Sequence, residues 1–294
     1  MTDRPDKPVG VVAGSGRPPF LVAQAIRKLG GRVVMVGLRG LASRRLVSLA
    51  DAFTWSGPTR LGRWISFFRA NGVAEAILIG GVRKSDMYLP LRVIRYLPDL
   101  RTALLWYHKL RKDKRDNSVL LAVAGELKGE GIELVSGVRY CGEHLATEGL
   151  MTRRPVPRSA EADVEFGWRI ARASAGLDVG QSVAVKERDI IAVEAMEGTD
   201  EMIRRAGALC RSGGWIMVKV ARPNQDMRFD VPTVGPRTLR NLKEAGCACL
   251  VLEAGRTFIA DKPVTIELAD RLGIAVLGKS AGSENQAIPP DPPA

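Results

Sequence analysis

The densest group of chemically capable side chains lies in the run Lys219-Val-Ala-Arg222-Pro-Asn-Gln225-Asp226-Met-Arg228-Phe-Asp230-Val-Pro232. The run is too polar for a core and joins a strand-like segment to a helix-like one, so its charged groups converge on one loop. Asp226 and Asp230, four residues apart among Lys219, Arg222 and Arg228, suit metal-assisted phosphoryl hydrolysis. Carboxylate oxygens hold Mg²⁺, or another divalent cation such as Mn²⁺, cations neutralise phosphate charge, and a carboxylate orients or deprotonates water. On this reading Asp226, Asp230, Lys219 and Arg228 are the candidate catalytic residues. A solvated loop of mutually neutralising charges has the same composition, and that alternative stands beside the first.

A second acidic stretch, Glu194-Ala-Met-Glu197-Gly-Thr199-Asp200-Glu201, also lies where a strand gives way to a helix. Helix capping accounts for Thr199 and Asp200. It does not account for Glu194 and Glu197, each of which could reach a metal or a ligand hydroxyl or simply face solvent. Glu197 joins Asp226 as a candidate metal ligand. The glycine turns Gly14-Ser15-Gly16 and Gly80-Gly81 each follow a short apolar run. Small residues there let backbone N–H groups and a helix N-terminus approach a phosphate, although a tight turn needs the same glycines without any ligand. The match to a dinucleotide fingerprint is incomplete. Pro19 stands where a third glycine belongs, and the expected ribose-binding acid is missing between Arg39 and Asp51. A nicotinamide-dependent Rossmann oxidoreductase is therefore a disfavoured alternative.

These residues need elements to position them. Apolar runs at Val9–Ala13, 32–37, 51–55 and Glu75–Ile79 alternate with helical patterns at 20–29 and 59–71, punctuated by Gly30-Gly31 and Gly72. That alternation predicts an α/β fold whose N-terminal part is a Rossmann-like, doubly wound parallel sheet binding ligands at the carboxyl ends of its strands. The stretch from Arg83 to Asp116 turns helical and carries ten basic and four acidic residues, half of the chain's net charge, interleaved with Tyr88, Tyr96, Trp106 and Tyr107. It reads either as a lipid-facing patch or as an amphipathic pair packing Ile94, Leu97, Leu100 and Leu104 on the sheet. Residues 118–124 read as a strand or a helix edge, and 132–135 as a last strand. A distinct C-terminal α/β domain then follows. It has a helix at 160–175 capped by Ser159, a hairpin of 182–185 and 190–194 around Lys186-Glu-Arg-Asp189, and a helix capped by Thr199. Beyond these come a strand at 215–220, a helix opened by Gly235-Pro236, strands at 248–253 and 256–259, a helix capped by Asp261, and a last strand at 274–277. The expected organisation is 1–136 for the first domain, 137–158 as linker, 159–279 for the second, and 280–294 as a disordered proline-rich tail.

With 294 residues, 46% of them hydrophobic, the chain is neither fibrous nor disordered. No apolar run approaches the roughly 18 residues of a membrane span, and the start lacks a signal-peptide pattern, so a soluble cytoplasmic protein is expected. The net charge of +12 and a pI near 9.9 suit an anionic partner. A basic nucleic-acid-binding protein is the alternative from a different class. The chain has no reader motif and no repeated stacking platform, so no nucleic acid is expected. Four cysteines and two histidines lack metal or disulfide spacing, and Cys247-Ala-Cys249 reads as buried thiols.

The runs Val9-Gly-Val-Val-Ala-Gly14-Ser-Gly16-Arg-Pro, Gln181-Ser-Val-Ala-Val-Lys186, Ala192-Val-Glu194-Ala-Met-Glu197-Gly-Thr-Asp200 and Val218 through Pro232 resemble the UDP-2,3-diacylglucosamine pyrophosphatases of lipid A biosynthesis. The resemblance is to the two-domain type, unrelated to the calcineurin-like phosphoesterases, and it covers the chain from Pro8 to Lys279. Arg222 stands where a lysine is expected before the proline, which leaves a cation in place. The resemblance implies divalent-metal-dependent hydrolysis of an acylated UDP-sugar to UMP and 2,3-diacylglucosamine 1-phosphate (lipid X), with water attacking the sugar-side phosphorus and Asp226 matching the catalytic aspartate. It also implies a homodimer, and the basic stretch from Arg83 to Asp116 adds the expectation of a peripheral location at the cytoplasmic face of the inner membrane. Substrate-binding candidates are Gly14, Ser15, Gly16, Gly80, Gly81, Lys186, Glu194, Thr199 and Gln225.

Overall fold

The computed structural model describes residues 7–81, 97–107, 116–229 and 231–280. The chain forms two compact units, Met1–Gly142 with Met227–Phe229 and Glu143–Asp226 with Asp230–Ala294.

In the first unit β1 (Val9–Ala13), α1 (Pro18–Lys28), β2 (Val33–Leu38), β3 (Ala52–Ser56), α2 (Leu61–Ala70) and β4 (Glu75–Ile79) follow one another. The helices α3 (Leu100–Leu105) and α4 (Asp116–Gly129) precede β5 (Glu133–Leu134). The sheet is parallel throughout in the order β3-β2-β1-β4-β5, the doubly wound arrangement expected. Every residue of β1 and β2 is buried, as continuous apolar runs require when helices cover both faces. The order reverses between β1 and β4, so Gly14 and Gly80 emerge side by side at the switch point.

Residues 118–124 belong to α4 and are not a strand. A short apolar run without alternation has no period to separate a buried strand from a buried helix, and length decides it here. Of the basic stretch 83–116, residues 97–107 and the backbone of α4's first residue are described, and Tyr88, Ile94 and Tyr96 lie outside the described residues. Asp99 caps α3 by accepting the Thr102 N–H at 2.9 Å. Leu100 and Leu104 are exposed among the described residues, whereas Leu105 is buried.

The second unit holds β6 (Gly149–Leu150), α5 (Glu161–Gly176), β7 (Ser182–Lys186), β8 (Asp189–Val193), α6 (Thr199–Leu209) and β9 (Ile216–Lys219). β10 (Thr233–Val234), α7 (Pro236–Glu244), β11 (Cys249–Glu253), β12 (Phe258–Ile259), α8 (Lys262–Leu272) and β13 (Ala275–Lys279) complete it. Its main sheet runs β6-β13-β11-β9-β7-β8, parallel across β13, β11 and β9 and antiparallel at both edges. β12 pairs in parallel with β10 and not with the neighbouring β11. Alternation along one strand feeds two cores. Trp215 and Met217 pack beneath α6, α7 and α8, and Ile216 and Val218 pack against α5.

Three expected caps differ, the third being Asp261, which precedes α8 in a left-handed conformation with no side-chain cap bond. A 3-10 turn, Arg158–Ala160, leads into α5, and Ser159 makes no side-chain cap. α6 begins after Gly198, whose φ of 84° glycine tolerates, and Thr199 is its first helical residue. Cys247 and Cys249 are buried as expected, in separate cores. Burial pushes the Cys249 thiol up to about 12, which leaves it inert at neutral pH. Among the described residues no helix is long and apolar enough to cross a membrane.

Candidate active site

In the first unit the structure brings Gly14, Ser15, Gly80 and Gly81 together. The Ser15 and Gly81 backbones exchange N–H···O bonds at 3.0 and 2.9 Å, Gly14 N–H donates to Ile79 O at 2.8 Å, and the Ser15 hydroxyl donates to Gly81 O at 2.8 Å. A Cβ on Gly14 would lie 2.8 Å from Gly81 O, and one on Gly80 2.7 Å from Ser15 O. The glycines are thus required by the approach of two backbones, and the N–H groups of Gly14, Ser15 and Gly81 are spent on it. Pro18 and Pro19 fill the first two positions of α1, so the helix end lacks two of the donors a phosphate would use.

In the second unit the strand ends at one edge of the sheet gather a buried polar network. Lys219 closes β9 at 4% exposure. Its ammonium donates to Thr199 Oγ1 at 2.9 Å and Ser182 Oγ at 3.1 Å and lies 3.5 Å from Glu194 Oε2. The Thr199 hydroxyl donates to Glu194 Oε1 at 2.7 Å, which explains why Thr199 does not cap α6. Lysine has three donors, and all three are engaged here. The antiparallel register sets Ser182 opposite Lys219, and the Glu194 N–H donates to Ser182 O at 2.8 Å.

Beyond Lys219 the chain turns into the polar run. Gln225 Oε1 accepts the Arg222 N–H and a Gln181 side-chain N–H, both at 2.8 Å, and the Gln225 N–H returns to Arg222 O at 3.1 Å. The Arg222 guanidinium meets Asp178 at 2.8 Å. Asp226, half-buried, ends this turn. Arg228 is grouped with the first unit, its guanidinium carbon 5.0 Å from the Phe229 ring centroid. Asp230 lies outside the described residues.

Two candidates stand apart from the network. Lys186 is at the other end of β7, four residues or roughly 13 Å along the strand from Ser182, where it donates to Ser212 Oγ at 2.8 Å and Gly213 O at 2.9 Å. Glu197 is committed to Arg205 at 2.8 Å and to the Ala195 N–H at 3.2 Å.

Family models match the chain as the LpxI N-terminal domain over residues 8–144 and the LpxI C-terminal domain over residues 147–277. A curated relative, the UDP-2,3-diacylglucosamine pyrophosphatase LpxI of Caulobacter vibrioides, is 31% identical over 282 residues, covering 92% of this chain and 96% of the relative. The chain belongs to the LpxI family.

In this LpxI-family chain, no group of three or more His, Cys, Asp or Glu side chains among the described residues could form an all-protein metal cage. Mg²⁺ is commonly held by one or two carboxylates together with substrate phosphates, and Asp226 is a half-buried carboxylate at the end of the turn. The Glu197 carboxylate, the other candidate, is already paired with Arg205.

Sequence reasoning missed Glu253, a fully buried carboxylate at the end of β11. Its Oε2 accepts the Ala221 N–H at 2.7 Å, and its Oε1 lies 3.0 Å from Arg172 and 3.5 Å from Arg256. The available signal was an acid ending an otherwise apolar strand, Cys-Leu-Val-Leu-Glu253, next to the Ala254-Gly255 turn. Ser182 and Gln181 carried no comparable signal.

Proposed function

We propose that this chain hydrolyses the pyrophosphate of UDP-2,3-diacylglucosamine to UMP and 2,3-diacylglucosamine 1-phosphate, with a divalent cation. The observation that carries the reading is the turn from Ala221 to Asp226. It leaves a parallel strand at its carboxyl end and is fixed by Gln225, Gln181 and Glu253, so that one carboxylate is held where open α/β sheets bind ligands. Full-length similarity to a pyrophosphatase of that name supports the substrate class.

Water attacks the sugar-side phosphorus, and the bond from that phosphorus to the bridging oxygen breaks, so the bridging oxygen leaves with UMP. Asp226 is the carboxylate that would hold the cation. When bound, the cation offsets charge developing on the phosphate and makes water more acidic. Lys219 acts through its partners: it keeps Thr199 and Glu194 in place at the strand ends beside the turn. Arg228 counters pyrophosphate charge. In the cell the enzyme is a cytoplasmic homodimer that meets its acylated substrate at the inner membrane face, with its excess positive charge attracted to anionic lipid.

Release of UMP from the acylated UDP-sugar tests the reading. Turnover is expected to vanish with chelator and return with Mg²⁺ or Mn²⁺. Asp226→Ala should lower kcat by at least about 100-fold. Undiminished turnover in that variant removes Asp226 from the mechanism, and chelator-resistant turnover removes the cation.

A further inference from the structure

We propose that Glu253 is a positioning residue that fixes the Asp226 turn. The inference rests on the function proposed above, because it assigns to Glu253 the placing of that catalytic carboxylate. Glu253 lies at the carboxyl end of β11, the strand beside β9, with Leu252 in register with Lys219. It is fully buried, and burying a charge is costly unless it is paired and hydrogen-bonded. Here both oxygens are used. One takes the Ala221 N–H at 2.7 Å, the first amide of the turn, and the other faces the guanidinium groups of Arg172 and Arg256. Arg256 passes the constraint onward. Its other terminal nitrogen donates to Arg222 O at 2.8 Å and Pro223 O at 3.4 Å. The backbone from Ala221 to Pro223 is thereby held at an amide and two carbonyls by a single carboxylate–guanidinium pair, and Gln225 secures the next residues before Asp226.

Four of the five residues of β11 are apolar, so the strand needs no charge for its own packing. A carboxylate at this position orders the irregular backbone beside it, whose amide and carbonyls fall outside any sheet ladder. Misplacing a reacting group by about 1 Å costs on the order of 100-fold in rate, and Glu253 guards against a displacement of that kind.

The test pairs steady-state kinetics with hydrogen exchange in Glu253→Gln, a variant of the same shape whose amide group cannot satisfy two guanidinium groups. Loss of kcat on the order of 100-fold is expected, with KM changed far less. In an Asp226→Ala background the same change should cost nothing further, because both act through one carboxylate. The amides of Ala221, Arg222, Asn224 and Gln225 should exchange at least about tenfold faster, with the interiors of β9 and β11 unchanged. Wild-type kcat, multiplicative losses in the double variant, or exchange raised evenly across the unit would each overturn the proposal. Should Glu253→Gln fail to fold, Arg256→Gln leaves Glu253 paired with Arg172 and must give the same three results. A wild-type chain that never releases UMP sinks the proposed function while leaving the exchange result to stand. An active, Asp226-dependent enzyme indifferent to Glu253 sinks only this inference.

Discussion

Lys219 shows how a residue chosen for its charge can owe its place to packing. It was legible as a cation at a strand end next to a polar run. Its partners were not, because Ser182 and Thr199 are 37 and 20 residues away and only the sheet register brings them in. A lysine whose three donors are used internally ties Ser182, Thr199 and Glu194 together. Replacing it by methionine strands the Glu194 carboxylate, at 14% side-chain exposure, without its cation. Urea denaturation of Lys219→Met should show a loss of about 3 kcal/mol, and adding Glu194→Gln should recover part of it. A loss below about 0.5 kcal/mol would mean that the pair behaves as an exposed one.

Elements were read well wherever their pattern had a period or a terminator. The hairpin at Lys186-Glu-Arg-Asp189 is an example, since alternation on both sides fixed its strands. Its turn uses Glu187 and Arg188 at φ 54° and 61°, the left-handed pair of a type I′ turn, where Asn-Gly is preferred. What permits these residues is Asp163 on α5, whose buried carboxylate accepts the Glu187 and Arg188 N–H groups at 3.0 and 2.7 Å. The double change Glu187→Asn with Arg188→Gly should therefore raise stability by about 1 kcal/mol, read as a higher denaturation midpoint with an unchanged slope. Helix α4 was left open between a strand and a helix edge for the opposite reason, since its apolar run has no clear period of either kind. Lys186 lies at the other end of β7, because antiparallel pairing carries it away from Lys219.

At the scale of the whole molecule, each unit buries its own core: Val34, Val36, Phe68 and Leu127 in one, and Trp215, Met217, Val218 and Val251 in the other. Damage confined to one core should register in that unit. Gly80 has a φ of 98° and no room for a Cβ, so Gly80→Ala should cost at least about 2 kcal/mol. Exchange should speed up in the amides of β1 and β4 and stay unchanged in β9 and β11, and an even rise across both sheets would contradict this. The sequence by itself determined the parallel first sheet, a distinct second α/β domain with its hairpin, and the position of the Asp226 run. Apolar period, glycine stops and clustered charge are local properties that survive in one dimension. Only the tertiary structure decided that the two glycine turns are bonded to each other, that Lys219 points inward, and that Glu253 reaches across to the turn after β9. Those facts depend on strand order and register, which bring together residues dozens of positions apart and which no local pattern encodes.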